Sequence, residues 1–243
     1  GRDCKLGRPV LRGYGDRAKP AGGDHHEAYC PRSMALEQVR VMDKLGQPAF
    51  VVAGHYRGGR VTHRMALDHP EKVLKAAVLD IVPTHKLFKS VNQEVASGYY
   101  HWFFLIQPDG LPEHLIGGDP EFYLRKKMGK WSAGTGGFTD EAMAEYIRCF
   151  SNPQTIHASC EDYRAAATID LEHDEADMER LIDCPLLVLW GGKGLMDKSY
   201  DMLATWRDRA YHVSGMAIDC GHFLPEEKPD ETYRALVDFF KPG

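Results

Sequence analysis

The chain has 243 residues, 43% of them hydrophobic and 27% charged, a balance that excludes disorder or a fibrous repeat and suits one large or two small domains. The net charge of −5, with Lys+Arg 30 spread among Asp+Glu 35, offers no basic stripe for a nucleic-acid backbone. No apolar run approaches the roughly 20 residues that span a bilayer, so a soluble protein with no membrane partner is expected.

The N-terminal GRDCKLGRPV has no apolar signal segment,. The six cysteines, Cys4, Cys30, Cys149, Cys160, Cys184 and Cys220, form no CxxC pair and no zinc-finger spacing with histidine,. They read as reduced, mostly buried thiols of a cytoplasmic protein. No zinc, nicotinamide or nucleotide cofactor is indicated, and His25, His26, His157 and His173 read as surface groups rather than ligands.

In chain order, 31–45 places Met34, Leu36, Val39, Val41, Met42 and Leu45 on an amphipathic helix closed by Gly46,. PAFVVAG, from Pro48, is a strand; HYRGGR follows as a tight turn, and VTHRMALDHP as a helix that Pro70 stops,. Two further strands, VLKAAVLDIVP and CPLLVLWGG, are continuous apolar runs of the kind covered on both faces in a parallel sheet,. Between them the strand signal disappears, aromatics cluster in YYHWFF, and QPDGLP and SAGTGG punctuate helical patterns,. The basic LRKKMGK around Lys126 reads as a solvated face. A last helix, 230–240, carries Tyr233, Leu236, Val237, Phe239 and Phe240. The expected organisation is α/β, with a mostly parallel, helix-flanked core from 1–83 and 184–243 and a helical insertion at 84–183.

Gly54-His55-Tyr56-Arg57-Gly58 stands between a strand and a helix with the glycine spacing of a nucleophile elbow,. A Cβ at either glycine is expected to clash in so tight a turn. The turn lifts one side chain above the sheet, beside free helix N–H groups. Asp80, ending the next strand, and His222, late in DCGHFLPEE, complete the chain order nucleophile, acid, histidine,. An Asp at a strand end can orient an imidazole that then takes a proton. Asp197, after the later strand, is the alternative acid.

With these elements in place, the chain resembles the haloacetate (fluoroacetate) dehalogenases of the α/β-hydrolase superfamily, relatives of epoxide hydrolases. The matching stretches are LRGYGD, GHYRGGR, HRMALDHP, VLDIVPT, YYHWFF, ASCEDYRA, TIDLEHD and CGHFLPEE. The resemblance implies a core with a helical cap at 84–183. It also implies attack by an elbow Asp on the halogen-bearing carbon, halide loss, and hydrolysis of the resulting ester by His-activated water. It assigns the acid to Asp80 and the base to His222. The substrate carboxylate falls to Arg57 and Arg60, and the halide to His101, Trp102 and Tyr163. A homodimer and a small haloacid or other small carboxylate as partner are likewise implied.

The sequence departs from that pattern at the nucleophile, which is Tyr56. A carboxylate ionises near about 3.9 and a phenol near about 10, and attack by a phenolate would leave an aryl ether that activated water does not cleave. The ring should also fill the space of a small haloacid, so impaired turnover is expected. Alternatives are a non-catalytic small-carboxylate binder on the same pocket, or a hydrolase of different specificity such as an epoxide hydrolase; no GxSxG motif occurs. The family also carries a longer stretch before LRGYGD, supplying first strands and an HGFP-type loop. Here only residues 1–10 precede it, which suggests a fragment with an exposed sheet edge.

Overall fold

The computed structural model describes residues 6–134 and 137–241. Cys4 and the centre of the SAGTGG loop lie outside them. In chain order the elements are α1 (Pro31–Lys44), β1 (Phe50–His55), α2 (Arg57–Asp68) and β2 (Val73–Leu79). Eight helices follow: α3 (Thr84–Lys89), α4 (Gln93–Gly98), α5 (His101–Phe104), α6 (Leu111–Gly118), α7 (Pro120–Trp131), α8 (Asp140–Phe150), α9 (Pro153–Ala167) and α10 (Ile169–Ala176). The chain then returns to the sheet with β3 (Leu186–Gly191), α11 (Leu195–Ser199), α12 (Met202–Arg207), β4 (Val213–Ile218), α13 (Leu224–Glu227) and α14 (Pro229–Phe240).

The four strands form one parallel sheet in the order β1-β2-β3-β4. Alternation along β2 and β3 divides their side chains between two layers, as the two-residue period of a strand requires. Ala76, Val78, Leu186 and Val188 face the larger core with α1, α2 and the helices between β2 and β3. Ala77, Leu79, Leu187 and Leu189 face the opposite layer, where Leu236, Phe239 and Phe240 of α14 cover them. Both strands are therefore apolar at nearly every position, and both were legible.

β4 was not anticipated. Its sequence VSGMAI alternates half-buried and exposed residues, and Met216 is 49% exposed. Among the described residues it pairs only with β3, so it lacks the continuous apolar run. At the other end of the sheet, β1 pairs only with β2 among the described residues and leaves Val51 41% exposed.

Two sequence readings need correction. In α1 the buried residues are Pro31, Met34, Ala35, Gln38 and Val39, while Leu36, Val41 and Leu45 are exposed. The helix packs through one narrow stripe against α2, and those three side chains fall outside it. The LRKKMGK stretch is not uniformly solvated either. Lys127 turns inward on α7 and is only 9% exposed, against the rings of Tyr100 and Trp131.

An ion network ties the helical segment to the core. Arg64 of α2 reaches Asp174 at 2.9 Å and Asp177 at 2.5 Å, and Arg32 of α1 reaches Asp68 at 2.8 Å and Asp177 at 2.6 Å. The five described cysteines are unpaired: Cys30, Cys160 and Cys220 are buried, Cys149 and Cys184 half-buried.

Candidate active site

β1 ends at His55 and α2 begins at Arg57, so Tyr56 occupies the whole turn, with φ 53° and ψ −114°. A positive φ in a bulky residue is strained and persists only where the surroundings hold it. The glycines show how. A Cβ at Gly54 would collide with the Gly58 carbonyl, and one at Gly59 would lie 2.8 Å from Ile81 Cδ1. At Gly58 a Cβ would meet nothing within 4 Å, which corrects the expectation of a clash on both sides. The close strand–helix approach depends on Gly54 and Gly59.

Asp80 follows β2, also at a positive φ of 50°. Its Oδ1 accepts from the Gly191 amide at 2.9 Å, and its Oδ2 lies 2.5 Å from His222 Nδ1. His222 is held by its own backbone: its N–H donates to the Trp131 carbonyl at 2.9 Å, and its carbonyl meets His55 Nε2 at 2.8 Å. Burial pushes the Asp80 carboxyl up from the ordinary carboxylate range and the His222 imidazole down from its ordinary value. At neutral pH His222 is thus neutral, and its Nε2, buried and without a hydrogen-bond partner among the described residues, is the free end of the dyad. That is the geometry of a base held by an orienting carboxylate.

The Tyr56 ring stands perpendicular to His222, with centroids 4.8 Å apart. Its hydroxyl is 2.5 Å from His101 Nε2 and hydrogen-bonds the Tyr163 hydroxyl. Burial pushes this phenol up to about 12, against the opposing pull of Tyr163, Arg57 and Arg60, so it stays protonated. His101 comes from α5, Tyr163 from α9 and Tyr56 from the sheet edge; the three meet only in the folded chain.

Arg57 and Arg60, one turn apart on α2, are 6% and 3% exposed. Arg57 donates through Nε to Asp162 Oδ2 at 2.8 Å and through Nη2 to the Asp162 carbonyl at 2.9 Å. Burial alone would lower its pKa; the Asp162 carboxylate raises it overall. Arg60 donates through Nη1 to Val82 and Thr84, while its Nε and Nη2 find no partner among the described residues. Burial and the neighbouring Arg57 push Arg60 down to about 10. The buried Trp102 ring lies 4.4 Å from the Arg60 guanidinium and 5.5 Å from that of Arg57, within cation–π range.

All eight residues singled out around the elbow therefore lie in one cluster: half-buried Tyr56 with buried Arg57, Arg60, Asp80, His101, Trp102, Tyr163 and His222. Asp197, the alternative acid, is exposed and accepts from Trp190 Nε1 at 2.7 Å, while it is Asp80 that pairs with His222 Nδ1.

Several neighbours escaped the sequence reading. Trp131, at the end of α7, packs on His101, His222 and Tyr56 with centroids 4.6, 4.9 and 5.5 Å away. Asp162 takes Arg57, and Tyr14 donates to Asp162 at 2.6 Å. Of these, Asp162 and Tyr14 had a signal, since they fall in ASCEDYRA and LRGYGD, whereas Trp131 had none. A groove of about 830 Å³ between α6 and α9, lined by Glu113, His157, Glu161 and Arg164, is separate: neither Asp80 nor His222 lines it.

Comparison with known proteins bears on the fold and the family. Residues 11–229 match the alpha/beta hydrolase fold family. The chain is 44% identical to a fluoroacetate dehalogenase of Burkholderia sp over 230 residues, 94% of this chain and 76% of that protein. It is 32% identical to a soluble epoxide hydrolase of Corynebacterium sp. (strain C12) over 238 residues, 96% of this chain and 80% of that one. A crystal structure from Nostoc sp PCC 7120, described as an alpha/beta hydrolase, superposes with a TM-score of 0.94 at 61% identity, covering 96% of this chain and 80% of its own. With the elbow, the Asp80–His222 pair and a family match over most of its length, the chain belongs to the α/β hydrolase fold family.

Proposed function

We propose that the chain is a haloacetate dehalogenase-like hydrolase, a sheet core under a helical cap at 84–183, whose turnover is blocked because Tyr56 fills its own active site. The observation that carries this reading is the Tyr56 hydroxyl, hydrogen-bonded to His101 and Tyr163. Those are the side chains that the resemblance assigns to the departing halide.

With an aspartate at position 56, the carboxylate would attack the carbon bearing the halogen, and the halide would leave toward His101, Trp102 and Tyr163. Imidazole, indole and phenol can each donate to an anion there. Arg57 and Arg60 would hold the substrate carboxylate, for which guanidinium geometry is suited. His222 Nε2 would then take a proton from water, which adds to the ester carbonyl and releases the hydroxy acid. Tyr56 supports neither half: its phenol is protonated, and the ether it would form resists base-activated water.

A second reading, a small-carboxylate binder without turnover, is favoured by the two free donors of buried Arg60. Fluoride release from fluoroacetate separates the two. The parent chain should release no more than one equivalent, and Tyr56→Asp should release fluoride steadily. Steady release by the parent at the rate of Tyr56→Asp refutes the blocked-site reading. Calorimetric binding of acetate or glycolate, with neither protein turning over, favours the binder.

A further inference from the structure

We propose that Cys30, Asp170 and His173 form a site for one zinc-class divalent ion, which clamps α10 to the start of α1. Cys30 is the N-cap residue of α1 and is buried. Asp170 and His173 stand three residues apart on α10, which places them on one helix face. The Cys30 sulfur, a carboxylate oxygen of Asp170 and an imidazole nitrogen of His173 all lie within 4.8 Å of one another. Around a tetrahedral zinc, donor atoms sit roughly 3.3–3.8 Å apart, so small side-chain rotations close this set on an ion.

An independent observation points to a ligand there. Asp170 is 4% exposed, and both of its carboxylate oxygens lack a hydrogen-bond partner among the described residues. A buried carboxyl group without a partner is costly and rarely retained. A cavity of about 10 Å³ lined by Asp170 and His173, together with Arg60 and His63, adjoins the set. It has room for a single water, which would complete a fourth coordination position.

The donor chemistry narrows the ion. One thiolate, one imidazole and one carboxylate suit zinc and its neighbours, whereas magnesium and calcium require oxygen donors. Cys30 and Asp170, both deprotonated, balance two positive charges. Arg32 and Arg64 also line the cavity, but their charges face Asp68, Asp174 and Asp177. Arg60 is the one cation there left to oppose the ion among the described residues. The Ser33 amide donates to the Cys30 sulfur at 3.4 Å, an outer contact of the kind that orients a metal-bound thiolate. Sequence spacing could not reveal the site, because its cysteine and histidine lie far apart in the chain and meet across two helices.

The test uses the chain without a polyhistidine tag, stripped by a chelator and reloaded. Zinc should bind at one equivalent by elemental analysis and raise the melting temperature. Cobalt should give a near-ultraviolet thiolate charge-transfer band and tetrahedral visible bands. Cys30→Ser, which keeps an N-cap oxygen, should lose the thiolate band, and His173→Gln should weaken zinc by more than the roughly 10–100-fold that loss of an outer partner costs. Cys149→Ser should leave the band intact. Failure to bind an equivalent of zinc, or a cobalt thiolate band that survives Cys30→Ser, overturns the proposal. Circular dichroism of each variant establishes that a lost band is not lost folding, and the zinc stoichiometry of the parent chain tests the site independently of any variant.

Discussion

Lys127 is a buried amine that the fold holds uncharged at neutral pH at a cost, and its replacement by methionine should make the protein more stable. Its Nζ has no hydrogen-bond partner among the described residues and lies 4.4 Å from the Trp131 ring centroid and 4.6 Å from that of Tyr100. Burial, with a smaller push from Lys130, lowers its pKa from 10.5 to about 5. The native protein therefore binds fewer protons than the unfolded chain between those values. The penalty is absent above pH 10.5, grows as pH falls, and is complete below about 5,. At pH 7 it spans 10.5 − 7, or 3.5 units; at about 1.4 kcal/mol per unit this is at most about 5 kcal/mol. Methionine keeps the covering stem over both rings without a group that must give up its proton to be buried. Urea unfolding at a series of pH values should show Lys127→Met more stable by about 3 kcal/mol at pH 7. The parent should gain stability from pH 6 to 9 relative to the variant, with a slope approaching about 1.4 kcal/mol per pH unit. A variant no more stable than the parent, or an identical pH dependence, refutes the reasoning.

The remaining predictions concern the site's supports. Asp162→Ala should destabilise the fold by about 3–5 kcal/mol in urea, because it strands the Arg57 guanidinium in the interior; a loss below 1 kcal/mol would show that Arg57 finds water instead. Gly54→Ala should cost about 3 kcal/mol or abolish folding, since its Cβ meets the Gly58 carbonyl,. Gly58→Ala, with open space around its Cβ, should be neutral or stabilising by up to about 1 kcal/mol, as expected for alanine in a helix. Equal effects of the two substitutions on the unfolding midpoint would contradict the geometry of the turn.

The parallel sheet was legible wherever the strands are buried on both faces, because β2 and β3 then need an apolar side chain at nearly every position. β4 was not, since an edge strand with an exposed face carries Ser214, Gly215 and Met216 without penalty. The elbow was legible for the same local reason: Gly54 leaves a mark because backbone passes where its Cβ would be. Asp80 and His222 could be nominated from chain order, and the eight residues of the cluster from a resemblance.

What the sequence determined by itself was thus set by short-range constraint, the two-residue period of strands, the stripe of a helix and the tight turn at Tyr56. What only the tertiary structure decided is which distant groups share a dielectric. Arg57 is claimed by Asp162, 105 positions away, and Asp80 by His222, 142 positions away. The Tyr56 hydroxyl hydrogen-bonds His101 and Tyr163 because α5 and α9 bring them to it. Lys127 turned inward although Arg125, Lys126 and Lys130 of LRKKMGK are exposed, because burial follows from what packs above a helix face, and no local pattern carries that information.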